Sequence, residues 1–391
     1  MSAVPSDRHL PELERLRTLT CAKWNWFDAD VLPAWVADMD LPPAPAAVDA
    51  VRALTERGDF GYNFSAHGCL PDAYAQWETR HHGWTPDPAR TRVFCDVLQV
   101  VDVALSLHTK PGDGVVIFTP VYPPFFPAIT GAGRRVIDCP LDPDGWQLDA
   151  QVLRDAVDER TTAILLCNPH NPTGRAFTRE ELTAIAQVAA ERDLLVISDE
   201  IWADLVYAPA THIPFASLSD DAAARTLTAA AASKAFNLAG LRCAVAHFGH
   251  EEVFASFKAL PGHLLGGPSS LGAAATLAAW TDGEAWLDET RAHLASMRDH
   301  ALARCAAELP QVRVASPEAT YLMWLDFRAL GLGDDPSAWL LEYARVGLSK
   351  GPDFGPHGEG FARLNFATTV GILDELFDRI VAAVRSDSPR G

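Results

Sequence analysis

Basic residues, and lysine above all, are scarce in this sequence. Its 391 residues include 32 Lys and Arg against 51 Asp and Glu, which gives a formal net charge of −19. A protein that binds nucleic acid or anionic lipid needs a basic face to neutralise phosphates. The charge balance therefore argues against both kinds of partner. It also draws attention to each of the few lysines.

The sequence also lacks paired cysteines, clusters of metal ligands and long apolar runs. His81 and His82 have no matching set of ligands, so they are predicted to lie at the surface and no metal site is expected. No apolar run approaches ~20 residues and the N-terminus lacks a basic-then-apolar leader, which favours a cytoplasmic protein. The cysteines are odd in number and contain no Cys-x-x-Cys, which indicates buried thiols in a reducing compartment; they are Cys21, Cys69, Cys95, Cys139, Cys167, Cys243 and Cys305.

Length and hydrophobic pattern predict an α/β protein with two domains of unequal size. The chain exceeds the usual size of a single core, and 48% of its residues are hydrophobic. We expect an N-terminal arm over 1–45 that joins the small domain, a large domain over 46–280 and a small α+β domain over 281–391. Helical segments alternate with apolar runs, which predicts a mostly parallel sheet covered by helices. The predicted strands are Val93–Cys95, Val115–Thr119, Arg135–Asp138, Ala163–Cys167, Leu194–Ser198, Thr226–Ala229 and Ala244–Phe248.

Two N-terminal segments have less regular patterns. Residues Trp35 to Asp40 are predicted to form a short apolar strand that ends in two acids. Phe60 to Gly68 is aromatic and punctuated by glycine, so a loop carrying Tyr62 is predicted there, with helix resuming at Leu70. Taken alone, neither segment indicates a particular chemistry.

Chemically distinctive residues follow several of the predicted strands. The carboxyl ends of parallel strands are where α/β proteins place their active sites. After the first predicted strand, Asp96 to Gln99 opens a helix whose free N–H groups and dipole suit a phosphate. After the second, a proline-rich turn fixes Tyr122, which could stack on a planar ring or belong to the core. Position alone does not separate these alternatives.

Two further strand ends carry polar groups that need partners. Asn171 begins the second of two Asn-Pro steps, and a glycine follows at position 174. This sequence forces an ordered turn and presents the amide as a donor. Asp199 ends a buried apolar strand, where an ionised carboxylate is costly unless it has a partner. A protonated ring nitrogen is the natural partner for such a carboxylate.

The segment from Thr228 to Arg242 carries a lysine among small residues. Lys234 follows four alanines and a serine, which leaves room beside its amine for a bound group. An isolated Ser-Lys is more often a surface loop lysine, but here the other strand-end residues favour a Schiff base with pyridoxal phosphate. Arg242 lies eight residues later and is placed to hold a phosphate. Arg363, beside a short apolar strand, suits forked recognition of a carboxylate, with a structural salt bridge as the alternative.

The order of these residues resembles the fold-type-I pyridoxal-phosphate enzymes of the class I/II aminotransferase superfamily, over nearly the whole chain. The segments that carry the resemblance are Asn171–Gly174, Ser198–Glu200, Ser233–Lys234 with Arg242, and Arg363–Phe366. Within the superfamily, the chain is most similar to the cystathionine β-lyase branch of MalY/PatB type. That likeness is carried by Trp35–Asp40, Phe60–Tyr62 and Pro120–Phe125.

The resemblance implies a role for each residue around the cofactor ring. Lys234 would be the Schiff-base lysine and proton shuttle. Asp199 would pair with the pyridine nitrogen, Tyr122 would stack on the ring, and Asn171 would bond its 3-hydroxyl and contact the substrate. Arg363 would bind the substrate α-carboxylate.

The resemblance also implies which residues would hold the cofactor phosphate and which would reach a partner subunit. The backbone N–H groups of Leu98 and Gln99, together with Ser233 and Arg242, would hold the phosphate. Tyr62 would reach the site of the neighbouring subunit, which implies a homodimer with shared active sites. The cofactor implied is pyridoxal 5'-phosphate, with a small amino acid as substrate.

Three positions depart from the family pattern. Trp202 stands where the superfamily often has tyrosine and this branch often histidine, and an indole donates one hydrogen bond but accepts none. Ala231 replaces a serine that could contact the phosphate. Asp96 stands where glycine is common, near a phosphate that it should repel. None of these departures removes an essential group.

The sequence predicts a pyridoxal-phosphate-dependent carbon–sulfur β-lyase acting on cystathionine or another S-substituted cysteine. An aminotransferase that uses the same residues is the first alternative, because the two reactions share their essential groups. A non-catalytic regulator on this fold is the second. Retention of Lys234, Asp199, Asn171 and Arg363 together argues against the regulator.

Overall fold

The computed structural model describes residues 10–62, 64–261 and 264–386. None of the helices in these ranges is both long and apolar enough to cross a bilayer. The helices are Leu13–Leu16 (α1), Ala22–Asn25 (α2), Pro45–Arg57 (α3), Phe64–His82 (α4), Val97–His108 (α5), Phe125–Gly131 (α6), Ala150–Ala156 (α7), Arg179–Arg192 (α8), Asp220–Ala224 (α9), Glu251–Lys258 (α10), Ser270–Asp282 (α11), Glu284–Glu308 (α12), Pro336–Tyr343 (α13) and Val370–Arg385 (α14). The strands are Leu32–Pro33 (β1), Thr91–Phe94 (β2), Gly114–Thr119 (β3), Arg135–Pro140 (β4), Thr161–Cys167 (β5), Leu195–Asp199 (β6), Thr226–Ala230 (β7), Ala244–Phe248 (β8), Arg313–Val314 (β9), Leu322–Asp326 (β10), Val346–Gly347 (β11), Ser349–Lys350 (β12) and Phe361–Asn365 (β13).

The largest sheet of the described residues has seven strands in the order β2-β8-β7-β6-β5-β3-β4. Strands β3 to β7 pair in parallel, whereas β8 runs antiparallel to both β7 and β2. Each of the seven strands predicted for this sheet is found within two residues of its expected ends. The predicted α/β class with a mostly parallel sheet is therefore confirmed.

The central strands are apolar without interruption because helices cover both faces of the sheet. Successive residues point to opposite faces, so Ile117 and Leu165 enter one core cluster while Val116 and Ile164 enter the other. All four side chains are fully buried. Each such burial stabilises the fold by ~1.5–3 kcal/mol, which makes this sheet a firm base for residues at its strand ends.

The C-terminal part forms a second, antiparallel sheet in the order β12-β13-β10-β9. Helices α12 and α14 pack against each other beside it. The N-terminal arm is attached here, since Leu32 of β1 pairs in parallel with Val346 of β11. Arg345 strengthens the connection with ion pairs to Asp28 and Asp30, at 3.1 and 2.8 Å. The exact domain boundaries stay a prediction.

The prediction of a strand over Trp35–Asp40 is wrong. The structure places a strand at Leu32–Pro33 and leaves residues 35–40 irregular. The apolar pattern was misleading because most carbonyls of this segment accept hydrogen bonds from side chains elsewhere in the chain, not from a neighbouring strand. Burial here reflects packing between the two sheets.

The loop predicted over Phe60–Gly68 is also partly wrong, because helix α4 already begins at Phe64. Gly68 and Pro71 have low helix propensity and hide the start of the helix in the sequence. Leu70, Tyr74 and Trp77 form a fully buried stripe at helical spacing. Tertiary packing of that stripe overrides the weak local preference.

Two predictions of exposure need correction. His81 and His82 are not surface residues: their side chains are only 11% and 8% exposed. His81 Nδ1 contacts the Trp77 carbonyl at 2.9 Å, and His82 contacts Asp204. Conversely, only some of the cysteines are buried, namely Cys139, Cys167, Cys243 and Cys305, whereas Cys21 and Cys69 are exposed and Cys95 is intermediate.

Candidate functional site

A cavity of about 190 Å³ lies at the carboxyl ends of β3, β5, β6 and β7. Parallel strands aim their final residues at one edge of the sheet, so loops far apart in sequence meet there. Nine of the predicted site residues line it: Leu98, Tyr122, Asn171, Asp199, Trp202, Ser233, Lys234, Arg242 and Arg363. Gln99 and Tyr62 do not.

Asp199 ends strand β6 and is almost completely buried. Its Oδ1 accepts a hydrogen bond from the Ile201 N–H at 3.1 Å. Burial raises the pKa of this carboxyl to about 7, and the Ile201 N–H and the nearby Lys234 ammonium only partly oppose that effect. A carboxylate in this position would be stabilised by a cationic N–H donor in the cavity.

Lys234 directs its amine into the same cavity. Nζ donates a hydrogen bond to the Ala37 carbonyl at 2.9 Å and lies 5.9 Å from the centre of the Trp202 ring. Desolvation lowers the pKa of the ammonium, and the Arg363 charge adds to this, while Asp38 and Asp199 oppose it. A lysine with a lowered pKa has a larger neutral, nucleophilic fraction.

Arg363 lies in the middle of strand β13 with its guanidinium held from two sides. One terminal nitrogen donates to Asn171 Oδ1 at 2.7 Å, and the other donates to the Trp35 carbonyl and Ser349 Oγ, both at 3.0 Å. Its Nε is buried and has no hydrogen-bond partner among the described residues. Burial lowers the pKa of Arg363 to about 10, so it stays charged at neutral pH. The planar guanidinium at the cavity wall suits an incoming carboxylate.

Two aromatic side chains form walls of the cavity. Tyr122 packs edge-on against Phe125 with ring centres 5.7 Å apart, and burial raises the pKa of its phenol. Trp202 is buried and packs edge-on against Tyr321 at 4.8 Å. Both rings are fixed by packing, so they can bound a planar ligand without reordering.

The residues predicted to hold the cofactor phosphate are arranged differently from what we expected. Asp96 caps helix α5, accepting the Gln99 N–H at 2.8 Å through Oδ1, and its Oδ2 forms an ion pair with Arg242. The Gln99 N–H is therefore already used by the cap. Its side chain accepts from the Cys95 N–H and donates to the Leu265 carbonyl. Leu98, Ser233 and Arg242 remain at the cavity wall.

Tyr62 lies outside the cavity and is 95% exposed. It follows Gly61, whose carbonyl accepts a hydrogen bond from Ser270 at the start of α11.

Sequence reasoning missed the contribution of residues 35–41, which we call the strap. Its backbone carbonyls accept hydrogen bonds from side chains of the C-terminal sheet, the arm and the loops beside the cavity, and two of these side chains are the cavity residues Lys234 and Arg363. The others are Ser349, Asn365, Tyr321, Lys23 and Asn237. Backbone acceptors have no sequence signature. The one feature of the sequence that could have indicated an ordered arm is Lys23, a rare lysine that precedes the acidic residue Asp40.

Comparison with known proteins identifies relatives along almost the whole chain. The family model for aminotransferase class I and II matches residues 36–380. Cystathionine beta-lyase PatB of Bacillus subtilis (strain 168) is 38% identical over 381 residues, which cover 95% of this chain and 98% of the relative. Cystathionine beta-lyase of Corynebacterium glutamicum is 38% identical over 379 residues, covering 96% and 99%.

A solved structure shows the same likeness in three dimensions. Cystalysin from Treponema denticola, whose crystal structure contains pyridoxal 5'-phosphate, superposes with a TM-score of 0.87 at 29% identity. The match covers 98% of this chain and 98% of cystalysin. Similarity therefore extends over both sheets and the cavity between them.

Proposed function

Because this chain belongs to the aminotransferase class I and II family, we propose that it is a pyridoxal-phosphate-dependent carbon–sulfur β-lyase. Its substrate is L-cystathionine or another S-substituted L-cysteine, and its products are pyruvate, ammonia and a thiol. The observation that carries this choice is the 38% identity, over 95% or more of the chain, to relatives named cystathionine beta-lyase.

The cavity fits this cofactor on chemical grounds. Among the described residues, only Lys234 offers the buried Asp199 carboxylate a cationic neighbour, and its effect is small; a protonated ring nitrogen would supply a stronger partner. Tyr122 and Trp202 bound a space suited to a planar ring. Lys234 would hold the cofactor through its amine, Asn171 would bond the ring hydroxyl, and Ser233 and Arg242 with the Leu98 N–H would hold the phosphate.

The chain's own residues would bind the amino acid and move its proton. When bound, pyridoxal phosphate supplies an electron sink for charge that develops at the substrate α-carbon. Arg363 would bind the α-carboxylate through its guanidinium, which orients the α-C–H bond. Once the substrate amine has replaced it at the cofactor, the Lys234 amine, with its lowered pKa, would take the α-proton, and the β-thiolate would leave. Hydrolysis of the remaining three-carbon fragment would give pyruvate and ammonia. Asp199 would keep the ring nitrogen protonated throughout.

A cytoplasmic homodimer belongs to the same proposal. In the single chain Tyr62 is 95% exposed, Phe60 64% and Leu264 62%. Exposed large apolar side chains of this kind favour burial against a second copy of the chain. In such a dimer Tyr62 would reach the partner's phosphate region, a role that the single chain does not provide.

The direct test uses the purified protein loaded with pyridoxal phosphate and supplied with L-cystathionine but no 2-oxo acid. Pyruvate and free thiol are assayed together. Sustained release of both in equal amounts supports the lyase. Release of neither until a 2-oxo acid is added, followed by transfer of the amino group to that acid, identifies an aminotransferase instead. That alternative uses the same Lys234, Asp199 and Arg363.

A protein that cannot be loaded with the cofactor, and stays colourless, would point to a non-catalytic regulator. Size-exclusion chromatography with light scattering on the same preparation tests the dimer. A monomer at micromolar concentration contradicts the shared site.

A further inference from the structure

The buried ion pair between Lys23 and Asp40 lies in the N-terminal arm, behind the cavity. Lys23 Nζ is 2.8 Å from Asp40 Oδ2, and both side chains are 1% exposed. Burying two charges costs several kcal/mol per ion before their attraction is counted. An apolar pair of similar volume would fill this space at lower cost. The charges therefore serve a purpose other than filling the core.

That purpose is visible in the hydrogen bonds the pair makes to the strap. Lys23 Nζ also donates to the Asp38 carbonyl at 3.2 Å, and Asp40 Oδ1 accepts from Trp24 Nε1 at 2.9 Å. The indole of Trp35 donates back to the Lys23 carbonyl at 3.4 Å. The pair and its neighbours thus fix the strap at both of its ends, at Trp35 and at Asp38 to Asp40.

Between these fixed points, the strap carbonyls hold the two cationic residues of the cavity. The Ala37 carbonyl accepts from Lys234 Nζ at 2.9 Å and from the Tyr321 hydroxyl at 2.8 Å. The Trp35 carbonyl accepts from Arg363 at 3.0 Å. A shift of the strap would therefore displace both acceptors together.

We infer that Lys23 and Asp40 are positioning residues, which hold the strap so that its carbonyls orient the Lys234 amine and the Arg363 guanidinium. They contact neither substrate nor cofactor. This inference rests on the roles of Lys234 and Arg363 in the proposed function, but not on which reaction follows binding.

Two measurements report on orientation without requiring lyase activity. The first is the rate at which the cofactor-free protein captures pyridoxal phosphate, followed by the absorbance of the bound cofactor. The second is the dissociation constant of the loaded protein for L-alanine, which lacks a β leaving group, followed by the same chromophore. Lys23→Met is expected to slow capture and weaken L-alanine binding by at least about tenfold each, because misplaced groups lose productive geometry.

A double variant separates positioning from stability. Lys23→Met/Asp40→Leu leaves no buried charge, so it should recover most of the melting temperature lost in Lys23→Met. It cannot restore the bonds to the Asp38 carbonyl and to Trp24, so capture and L-alanine binding should stay impaired. Recovery of all three properties in the double variant would show that the pair is only structural and would overturn the inference.

Arg304→Met is the matched control, because it removes an ion-pair network to Glu308, Asp374 and Asp378 far from the cavity. It should lower the melting temperature and leave capture and L-alanine binding within about twofold of wild type. If Lys23→Met does not fold, the double variant carries the test.

Discussion

The strand ends of the central sheet and the N-terminal strap contribute to the same cavity in different ways. The strand ends supply side chains: Tyr122, Asn171, Asp199 and Lys234 each follow or end a buried parallel strand or its loop. The strap supplies backbone carbonyls, which accept from Lys234 and from Arg363. In the proposed function, one region would carry the chemistry and the other would set its geometry.

This difference teaches why the two regions differ in tolerance to substitution. A side chain that reacts has no substitute, so changes at the strand ends should cost most of the activity. A backbone carbonyl survives any substitution at its own residue. The strap is therefore vulnerable only through the side chains that hold it.

The largest effect is expected for Lys234→Ala, which removes the amine that would hold the cofactor and move the α-proton. Turnover of L-cystathionine should fall by ~10⁴-fold or more, since both nucleophile and general base are lost. Pyruvate release measured at saturating cofactor gives the answer. A variant that still releases pyruvate at the wild-type rate would exclude this lysine from the chemistry.

Asp199→Asn should lower kcat by ~10²–10³-fold, the usual cost of removing one preorganised electrostatic partner. Asparagine is close to isosteric, so the cavity keeps its shape and the effect can be assigned to charge. Steady-state kinetics at fixed cofactor loading provide the measurement. Unchanged kcat would mean that the ring nitrogen does not need this carboxylate.

Arg363→Lys is expected to raise the KM for L-cystathionine by ~10²-fold with a smaller change in kcat. Lysine keeps the positive charge but loses the planar fork that bonds Asn171, the strap and a carboxylate at once. The cofactor spectrum should stay the same. An altered spectrum with normal KM would instead place this residue at the cofactor.

On the strap side, Asn365→Ala tests the geometric role without touching a reacting group. The Asn365 amide donates to the Val36 and Asp38 carbonyls, both at 2.7 Å. Its loss should reduce kcat/KM by about tenfold, far less than Lys234→Ala, since ~1 kcal/mol is typical for one hydrogen bond. An effect as large as that of Lys234→Ala would erase the distinction between the two regions.

The smallest effect concerns the stability of the cofactor-free protein. Burial raises the pKa of Asp199 to about 7, above the ordinary value of ~4. Between these values the folded state keeps a proton that the unfolded chain has released, so this group makes stability fall as pH rises from about 4 to about 7.

Asp199→Asn removes that titration, so the cofactor-free variant should melt higher than wild type at about pH 8. The melting temperatures of both proteins, measured at about pH 5 and about pH 8, check the sign. An identical pH dependence in the two proteins would contradict the raised pKa of the buried Asp199 carboxyl.

The sequence predicted the central sheet well for a definite physical reason. Strands such as β5 and β6 are buried on both faces, so their residues are apolar without interruption and their ends are sharp. The family and the α/β fold are confirmed by the comparisons and the sheet topology. The roles given to individual site residues stay predictions.

The arm was harder to predict because its structure depends on distant partners. Nothing near Trp35–Asp40 in sequence indicates that its carbonyls meet Arg363, Asn365 and Lys234 some 200 to 330 residues later. Helix α4 was missed at its start for a similar reason, since burial of Leu70 and Trp77 outweighs the poor helix propensity of Gly68 and Pro71. In residues 35–40 and in the first turns of α4, the structure is set by contacts with distant residues, so the local sequence shows no periodicity that would predict it.

The ion pair between Asp96 and Arg242 has a consequence for how the cofactor is retained. The guanidinium is already neutralised from within the chain, and 63% of its side chain is exposed to solvent and its salts. A phosphate that binds Arg242 would take the place of the Asp96 carboxylate. The guanidinium would exchange one anion for another, so the net attraction between Arg242 and the phosphate is small. We therefore expect the bond to Lys234, more than the contacts to the phosphate, to retain pyridoxal phosphate. Dialysis should then remove the cofactor from the Lys234→Ala variant.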